Sequence, residues 1–271
     1  MKATEFSVND RVAHLVLTRP DRRNAWTGDM HAEYRASLQV AEEDPEIRAV
    51  VISGDPEGRA FCMGGDSDTL ADFAEKGGYE PGVAKRERSG RKSGIRREFD
   101  QEFAYQFAMT TPIIAAVNGS AAGIGFAVAC YADMRFIGAD AKLTTANAKL
   151  GLPAPFGMSW LLPRLVGLPR ALDLLLSARV FTGAEAEAWG LAIEAPPTDA
   201  VVDRAMEYAT MLATTVSPIS IAASKGQIYA DQIDDVGTSV KRSVELMNRL
   251  MAGGQYAEGV AALREKRPPR F

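Results

Sequence analysis

The spacing of hydrophobic residues changes twice near the start of the chain. In residues 4–18 apolar and polar positions alternate, which predicts one or two strands with His14 on a strand face. Residues 27–44 then carry apolar positions at helical spacing behind a threonine cap, and His31 is expected on the solvent side of this helix. The apolar run at 49–53 predicts a buried strand.

The central stretch, residues 111–143, is predicted to form a strand, a glycine-rich turn, a short helix and a second strand. Gly123 and Gly125 bracket Ile124 where the helix should begin. A helix start presents unpaired N–H groups and a positive dipole end, which suit a bound or developing anion. Two alternatives stay open, a dinucleotide-binding turn and glycines placed only for packing. Val128 in the third glycine position weighs against the first.

The second half of the chain is mainly helical in its periodicity. Its predicted elements are a helical turn at 160–166, a helix from Pro169, a capping box at 182–185, a strand-like run at 191–195 and helices at 201–214, 218–229, 233–251 and 256–264. Strands that alternate with helices before a helical tail predict an α/β core at 1–198 and a C-terminal helical module at 199–271.

Composition excludes several classes of partner. The 271-residue chain has 46% apolar residues and a net charge of −4, so nothing global points to nucleic acid or to a membrane. Cys62 and Cys130 form no disulfide framework, and with two histidines the chain has too few ligands to predict a metal site. The N-terminal MKATEF lacks the apolar core of a signal peptide, so a cytoplasmic protein is expected.

Three further segments carry polar or charged side chains. The glycine-containing loop at 59–66 is either a ligand-binding turn or a plain strand-to-helix turn capped by Asp66. The basic segment 85–97 is either a solvated loop or a phosphate site. Residues 98–109 are predicted to form a helix that leads into the central strand, with Asp100 facing inward.

Eight different short motifs are distributed along nearly the whole chain. They are RP…NA at 19–25, FCMGGD at 61–66, PIIAAVNG at 112–119, AGIG at 122–125, Asp133, LLPRLVG at 161–167, TGAEAEAWGL at 182–191 and EGVAALREKR at 258–267. Each motif is weak alone, but in this order they make the chain resemble the crotonase (enoyl-CoA hydratase/isomerase) superfamily.

The resemblance implies an α/β fold in which ββα units stack as a spiral, with C-terminal helices that form trimers or dimers of trimers. It implies an acyl-CoA thioester as ligand, with coenzyme A as part of the substrate and no permanently bound cofactor. The shared chemistry is polarisation of the thioester carbonyl by two backbone N–H groups. By position these belong to Gly65 and Ile124, each in a glycine-flanked turn.

The same matching implies a coenzyme A site around these donors. Arg22 would approach the nucleotide end, and Lys266 would reach a phosphate, in the same or a neighbouring subunit. The other residues expected at the site belong to the two turns and are Cys62, Met63, Gly64, Asp66 and Gly123. The Cys62 thiol is expected to pack rather than to react, because no histidine occupies a matching position.

The chain departs from the family at the acidic positions. The two glutamates that hold water in hydratases are replaced by Ala127 and Asn147, and a further acidic position of some relatives falls at Pro155. Alanine and proline cannot transfer a proton, whereas Asn147 can orient a water or bind a carbonyl. The first candidate for a replacement acid or base is Asp100, although a charge at a helix N-terminus explains it equally well.

Asp68 and Glu102 are weaker candidates for the missing carboxylate. The leading hypothesis is an acyl-CoA enzyme that stabilises an enolate or oxyanion, with isomerisation, thioester hydrolysis or another enolate reaction in place of hydration. The alternative is a non-catalytic acyl-CoA-binding member of the same fold.

Overall fold

The computed structural model describes residues 3–78 and 97–271, apart from the side chain of residue 97. The predicted basic loop 85–97 therefore lies outside the described residues as far as residue 96. The described strands are β1 (Thr4–Asn9), β2 (Val12–Leu17), β3 (Ala49–Gly54), β4 (Ala60–Cys62), β5 (Ile113–Val117), β6 (Ser120–Ala122), β7 (Met134–Ile137), β8 (Lys142–Thr144) and β9 (Phe181–Thr182).

Within the described residues these strands form two sheets. The larger has the order β1-β2-β3-β5-β7 and the smaller β4-β6-β8-β9. In the larger sheet β1 and β2 form an antiparallel hairpin, and the other neighbours are parallel. β3 and β5 are buried at every residue, as expected for parallel strands covered on both faces.

The α-helices surround these sheets and make up the C-terminal part of the chain. They are α1 (Gly28–Glu43), α2 (Ser67–Lys76), α3 (Ile124–Tyr131), α4 (Met158–Val166), α5 (Leu168–Ser177), α6 (Gly183–Ala188), α7 (Val201–Thr215), α8 (Pro218–Asp231), α9 (Val236–Met251) and α10 (Gly254–Glu265). The predicted caps are confirmed. Thr27 Oγ1 accepts the Met30 N–H at 3.2 Å, and Thr182 and Glu185 form a capping box that begins α6.

α7 covers one face of the larger sheet. Its alanines at 205, 209 and 213 are fully buried in a cluster with Val51 and Ile114 of the sheet. Such small side chains allow the helix to lie close to the strands. The helix that begins the predicted C-terminal module thus packs on the core, and the division at 198/199 stays a prediction.

A buried ion pair joins α8 to the core. Lys225 Nζ donates to Asp133 Oδ2 at 2.7 Å and to the Thr111 carbonyl at 3.0 Å. The same carboxylate accepts hydrogen bonds from the Tyr229 hydroxyl at 2.8 Å and from the Ile113 N–H at 2.7 Å. Asp133 therefore accepts hydrogen bonds at both carboxylate oxygens, and its largely buried charge is compensated by Lys225.

Two predicted elements are wrong. Residues 98–109 do not form one helix but contain the 3-10 helices Arg97–Phe99 and Phe103–Ala108, because packing of their aromatic side chains overrides a weak local propensity. The strand-like run 191–195 makes only an isolated bridge, Phe136 to Glu194, within the described residues. Pro196 and Pro197 follow it directly and cannot donate to a ladder.

Candidate active site

Both predicted glycine turns lie at one edge of the smaller sheet. β4 pairs in parallel with β6, with Cys62 opposite Ala121, and β6 pairs in parallel with β8, with Ala122 opposite Thr144. The carboxyl ends of parallel neighbours meet at the same edge. The turn at 63–65, the turn at 123–124 and the loop after β8 therefore come together.

The turns approach each other too closely for side chains at two positions. A Cβ atom on Gly125 would lie 2.2 Å from the Cys62 carbonyl oxygen. Gly64 has a φ of +93°, and a Cβ there would lie 3.2 Å from the Ala122 carbonyl oxygen. Glycine at these positions permits the close contact of the two turns.

The amide groups expected to act as donors belong to Gly65 and Ile124. Ile124 is the first residue of α3, and the positive φ of this turn falls on Gly123, so isoleucine fits without strain. Gly65 is held beside Trp26, which donates to the Gly64 carbonyl at 2.7 Å and accepts from the Asp66 N–H at 2.9 Å. Among the described residues, neither donor N–H has a hydrogen-bond acceptor.

Asp66 and Arg22 pair with each other. The Asp66 carboxylate caps α2 and is 3% exposed, and it accepts from Arg19 at 3.0 Å and from Arg22 at 3.2 Å. Burial alone raises the pKa of Asp66, but the hydrogen bonds from the arginines outweigh it and hold the pKa at about 2. The Arg22 guanidinium also contacts Asp68. Its approach to a nucleotide stays a prediction.

The remaining turn residues differ in accessibility. Cys62 is fully buried, and burial raises the pKa of its thiol to about 12, which agrees with packing rather than reaction. Met63 is half-buried beside it. Lys266 is exposed at the end of α10 with a φ of +53°, and its contact with a phosphate stays a prediction.

The positions of the missing carboxylates carry no acid. Ala127 is buried in α3, Asn147 is half-buried at the start of the 3-10 helix Asn147–Leu150, and Pro155 is half-buried in the following loop. The side-chain amide of Asn147 is the polar group at these three positions.

Of the three candidate replacements, Asp68 is exposed and paired with Arg22, and Asp100 and Glu102 have different surroundings. Asp100 lies between the two 3-10 helices rather than on a helix. Glu102 immediately precedes the 3-10 helix Phe103–Ala108 and is close enough to Tyr131 to affect its titration. Burial, followed by Cys130 and Glu102, raises the pKa of Tyr131 to about 12. The Tyr131 hydroxyl donates to the Phe156 carbonyl at 2.5 Å, so Glu102 lies near the loop that contains Pro155.

An aromatic cluster, formed by Trp26, His31, Phe103, Tyr131 and Phe156, connects the first glycine turn to this loop. Phe103 is at its centre, with ring centroids 5.7 Å from Trp26, 6.0 Å from Tyr131 and 5.6 Å from Phe156. Sequence reasoning missed this cluster. The position of Trp26 directly after the Asn24-Ala25 motif was the available signal.

The prediction that His31 faces solvent is wrong. The side chain is 3% exposed, and its ring lies 5.9 Å from Trp26 and 5.4 Å from Phe103. The first turn of α1 is directed at the aromatic cluster, which the helical pattern alone did not reveal. Burial, with a smaller effect of Arg35, lowers the pKa of His31 to about 4.

Two kinds of feature are absent from residues 3–78 and 97–271, which the structure describes. No described helix is both long enough and apolar enough to cross a membrane. No group of three or more histidine, cysteine, aspartate or glutamate side chains in these residues is arranged to hold a metal ion.

A family profile and individual relatives both match nearly the whole chain. The sequence profile of the enoyl-CoA hydratase/isomerase family matches residues 7–271. The chain is 30% identical over 264 residues to the 1,2-epoxyphenylacetyl-CoA isomerase of Escherichia coli, covering 97% of this chain and 96% of that protein. It is 32% identical over 266 residues to a probable enoyl-CoA hydratase of Rhodobacter capsulatus, covering 98% and 96%.

A solved structure agrees with these matches. The crystal structure of a probable enoyl-CoA hydratase/isomerase from Mycobacterium abscessus superposes with a TM-score of 0.85 at 31% identity, covering 99% of this chain and 98% of that one. The α/β fold with a C-terminal helical region is therefore the crotonase fold. The chain belongs to the enoyl-CoA hydratase/isomerase family of the crotonase superfamily and is an enzyme of that family.

Proposed function

We propose that the enzyme binds an acyl-CoA thioester with the carbonyl oxygen between the N–H groups of Gly65 and Ile124. These donors stabilise the enolate that forms when a proton leaves the carbon beside the carbonyl. The observation that supports this is the common edge of β4 and β6, from which both turns emerge. Loss of one such donor typically reduces a rate about 10²–10³-fold.

We further propose Glu102 as the acid/base group, in preference to Asp100. Its charge acts on the Tyr131 hydroxyl, which donates to the Phe156 carbonyl in the loop that contains Pro155, and this supports the choice. A single carboxylate can remove a proton from the carbon beside the carbonyl and return it two carbons further along the resulting dienolate, which shifts the double bond, whereas hydration also requires activation of water. We therefore favour isomerisation over hydration. The name of the E. coli relative, an isomerase, agrees with this reaction class.

For coenzyme A, we propose that Arg22 and Lys266 act on the nucleotide and phosphate end, with Met63, Gly64 and Gly123 along the thioester arm. Because the Cys62 thiol is buried and the Asp66 carboxylate is paired with arginines, these two shape the turn that carries Gly65. In this proposal coenzyme A is part of the substrate, and the enzyme uses no permanently bound cofactor.

Self-association belongs to the same proposal. α9 has no buried residue, yet apolar side chains recur along one of its faces at intervals of three and four residues. These residues, the α9 stripe, are Val236, Val240, Val244, Met247 and Met251, with exposures from 48% to 80%. We propose that a second copy of the chain covers this stripe in a trimer or a dimer of trimers.

Proton exchange with solvent tests the catalytic proposal. The enzyme is incubated in D₂O with butanoyl-CoA and with 3-phenylpropanoyl-CoA, and deuterium beside the carbonyl is measured by mass spectrometry. We expect exchange by the wild-type enzyme and a loss of about 10²-fold or more in Glu102→Gln, as for removal of a general base. The matched variant Asp100→Asn should stay close to wild type.

Parallel assays follow conversion of a 3-enoyl-CoA to the 2-enoyl isomer and hydration of crotonyl-CoA. Isomerisation without hydration is the expected result. Acyl-CoA binding by calorimetry without any exchange would support the non-catalytic binder instead. Full exchange in Glu102→Gln would remove Glu102 from the mechanism.

A further inference from the structure

His31 is a buried polar residue whose hydrogen-bonding capacity is incompletely used. Its side chain is 3% exposed, and among the described residues Nε2 has no hydrogen-bond partner. In the same part of the chain, only the Tyr105 hydroxyl shares this condition. Buried polar atoms are nearly always paired in folded proteins, so an unpaired one calls for an explanation, and a bound ligand is one.

The surroundings of His31 connect it to the proposed thioester site. Its ring contacts Trp26, whose main chain holds Gly64 and Asp66 on either side of the Gly65 donor. It also contacts Phe103, which packs against Phe156 in the loop near Glu102. Trp26, and through it the aromatic cluster, is therefore adjacent to the proposed Gly65 donor.

The charge state of His31 restricts what it can recognise. Burial and the nearby Arg35 keep its imidazole uncharged at neutral pH. A neutral imidazole has one nitrogen that donates and one that accepts. Such a group forms a hydrogen bond with a hydroxyl or a carbonyl oxygen of a ligand. A ligand carboxylate would instead be bound best by a positively charged side chain. The surrounding rings of Trp26 and Phe103 favour a flat apolar body beside that oxygen.

We propose that His31 determines acyl specificity by hydrogen-bonding, through Nε2, a neutral oxygen substituent on an aromatic acyl group that binds against Trp26 in the place of the Phe103 ring. This inference rests on the proposed acyl-CoA function and adds a substrate class to it. Because Nε2 is covered, the acyl group must displace a ring of the cluster. Phe103 is the candidate, since a 3-10 helix of six residues carries it rather than a strand or an α-helix.

The test compares saturated acyl-CoA thioesters that cannot undergo double-bond chemistry. Dissociation constants for 3-phenylpropanoyl-CoA and for its 2-, 3- and 4-hydroxyphenyl counterparts are measured by calorimetry. We expect at least one hydroxylated ligand to bind the wild-type enzyme about 3–10-fold more tightly than the parent, as for one added hydrogen bond. His31→Leu should abolish this preference while affinity for the parent stays within about threefold, and His31→Gln should retain part of the preference.

Thermal unfolding without ligand distinguishes recognition from a structural role. His31→Leu replaces an unpaired buried polar group by an apolar one and should raise the melting temperature. A large fall in melting temperature would indicate a structural role and overturn the proposal. Equal binding of all four thioesters to the wild-type enzyme would also overturn it, whatever the variants do. Absence of any acyl-CoA binding would instead refute the proposed function itself.

Discussion

Ile124 illustrates how a single residue serves both the fold and the proposed chemistry. It begins α3, where its N–H has no partner within the helix and forms part of the positive end of the helix dipole. The positive φ of the turn falls on Gly123, with φ +50° and ψ −116°. The backbone at position 124 therefore does not require glycine, and the isoleucine side chain packs in the core.

Because the positive φ falls on Gly123 and the proposed donor is the Ile124 N–H, Ile124→Pro is a direct test of this donor. Proline is tolerated at the first position of a helix but has no N–H. We expect about a 10²–10³-fold loss of α-proton exchange with acyl-CoA, measured by mass spectrometry. The control Ile124→Val keeps the N–H and should remain within a few-fold of wild type. Equal activity of the two variants would show that this amide is not a donor.

Asp66 makes the stability of the fold depend on pH in the acidic range. Its pKa is lowered from 3.8 to about 2 by the paired arginines, so its contribution is complete above about pH 4 and is lost as the pH falls towards about 2. Asp66→Asn should be less stable than wild type at pH 7 and show a flatter loss of stability between these values. Urea unfolding at several pH values measures this. The exposed Asp21→Asn is the control, and an unchanged acid profile in Asp66→Asn would contradict the assignment.

At the scale of elements, pairing between strands brings the two glycine turns next to each other. β4 and β6 have three residues each and would be weak alone, yet their parallel pairing brings together turns that are far apart in sequence. α1 contributes His31 in its first turn, Trp26 lies just before the cap of this helix, and α8 is tied to β5 through the Asp133 ion pair. The site thus depends on elements that no local pattern connects.

The ion pair between α8 and the core supplies a stability prediction. Lys225→Met removes the cation from the buried Asp133 carboxylate and should lower the free energy of unfolding by about 3–5 kcal/mol, measured in urea. The exposed Lys241→Met on α9 is the matched control, with a change of about 0.5 kcal/mol or less. A loss in Lys225→Met no larger than in this control would contradict the buried-pair interpretation.

At the scale of the whole molecule, exposed apolar surface is concentrated on the C-terminal helices. The α9 stripe is the longest example, and Tyr256 and Leu263 of α10 are also exposed, at 49% and 79%. Isolated exposed apolar residues are ordinary, but a regular stripe along one helix face is typical of an interface. This distribution favours the proposed homo-oligomer over a monomer.

Introduction of charge on α9 tests that assembly. Val240→Glu with Met247→Glu places two carboxylates in the stripe and should shift the protein from a trimer or hexamer towards a monomer, measured by light scattering at micromolar concentration. Glu245→Lys, at an exposed position outside the stripe, should leave the assembly intact. A monomeric wild-type protein would contradict the proposal.

The sequence by itself determined most of the longer elements and the family. Hydrophobic periodicity located the strand region of β1 and β2, α1 and the C-terminal helices, because amphipathic spacing is a local property. The motifs indicated Gly65 and Ile124 as candidate donors, and Ala127, Asn147 and Pro155 as the residues at the positions where the resemblance implies acids. These substitutions are visible without coordinates, since they concern the residue type at a motif position.

The tertiary structure decided which of these residues meet. Burial of His31, the arginine partners of Asp66 and the proximity of Glu102 to Tyr131 depend on contacts between segments distant in the chain. The 3-10 conformation at 103–108 likewise follows from packing of aromatic rings rather than from local propensity. Non-local contacts of this kind leave no periodic trace in a single sequence, and the candidate acyl environment was therefore apparent only from the fold.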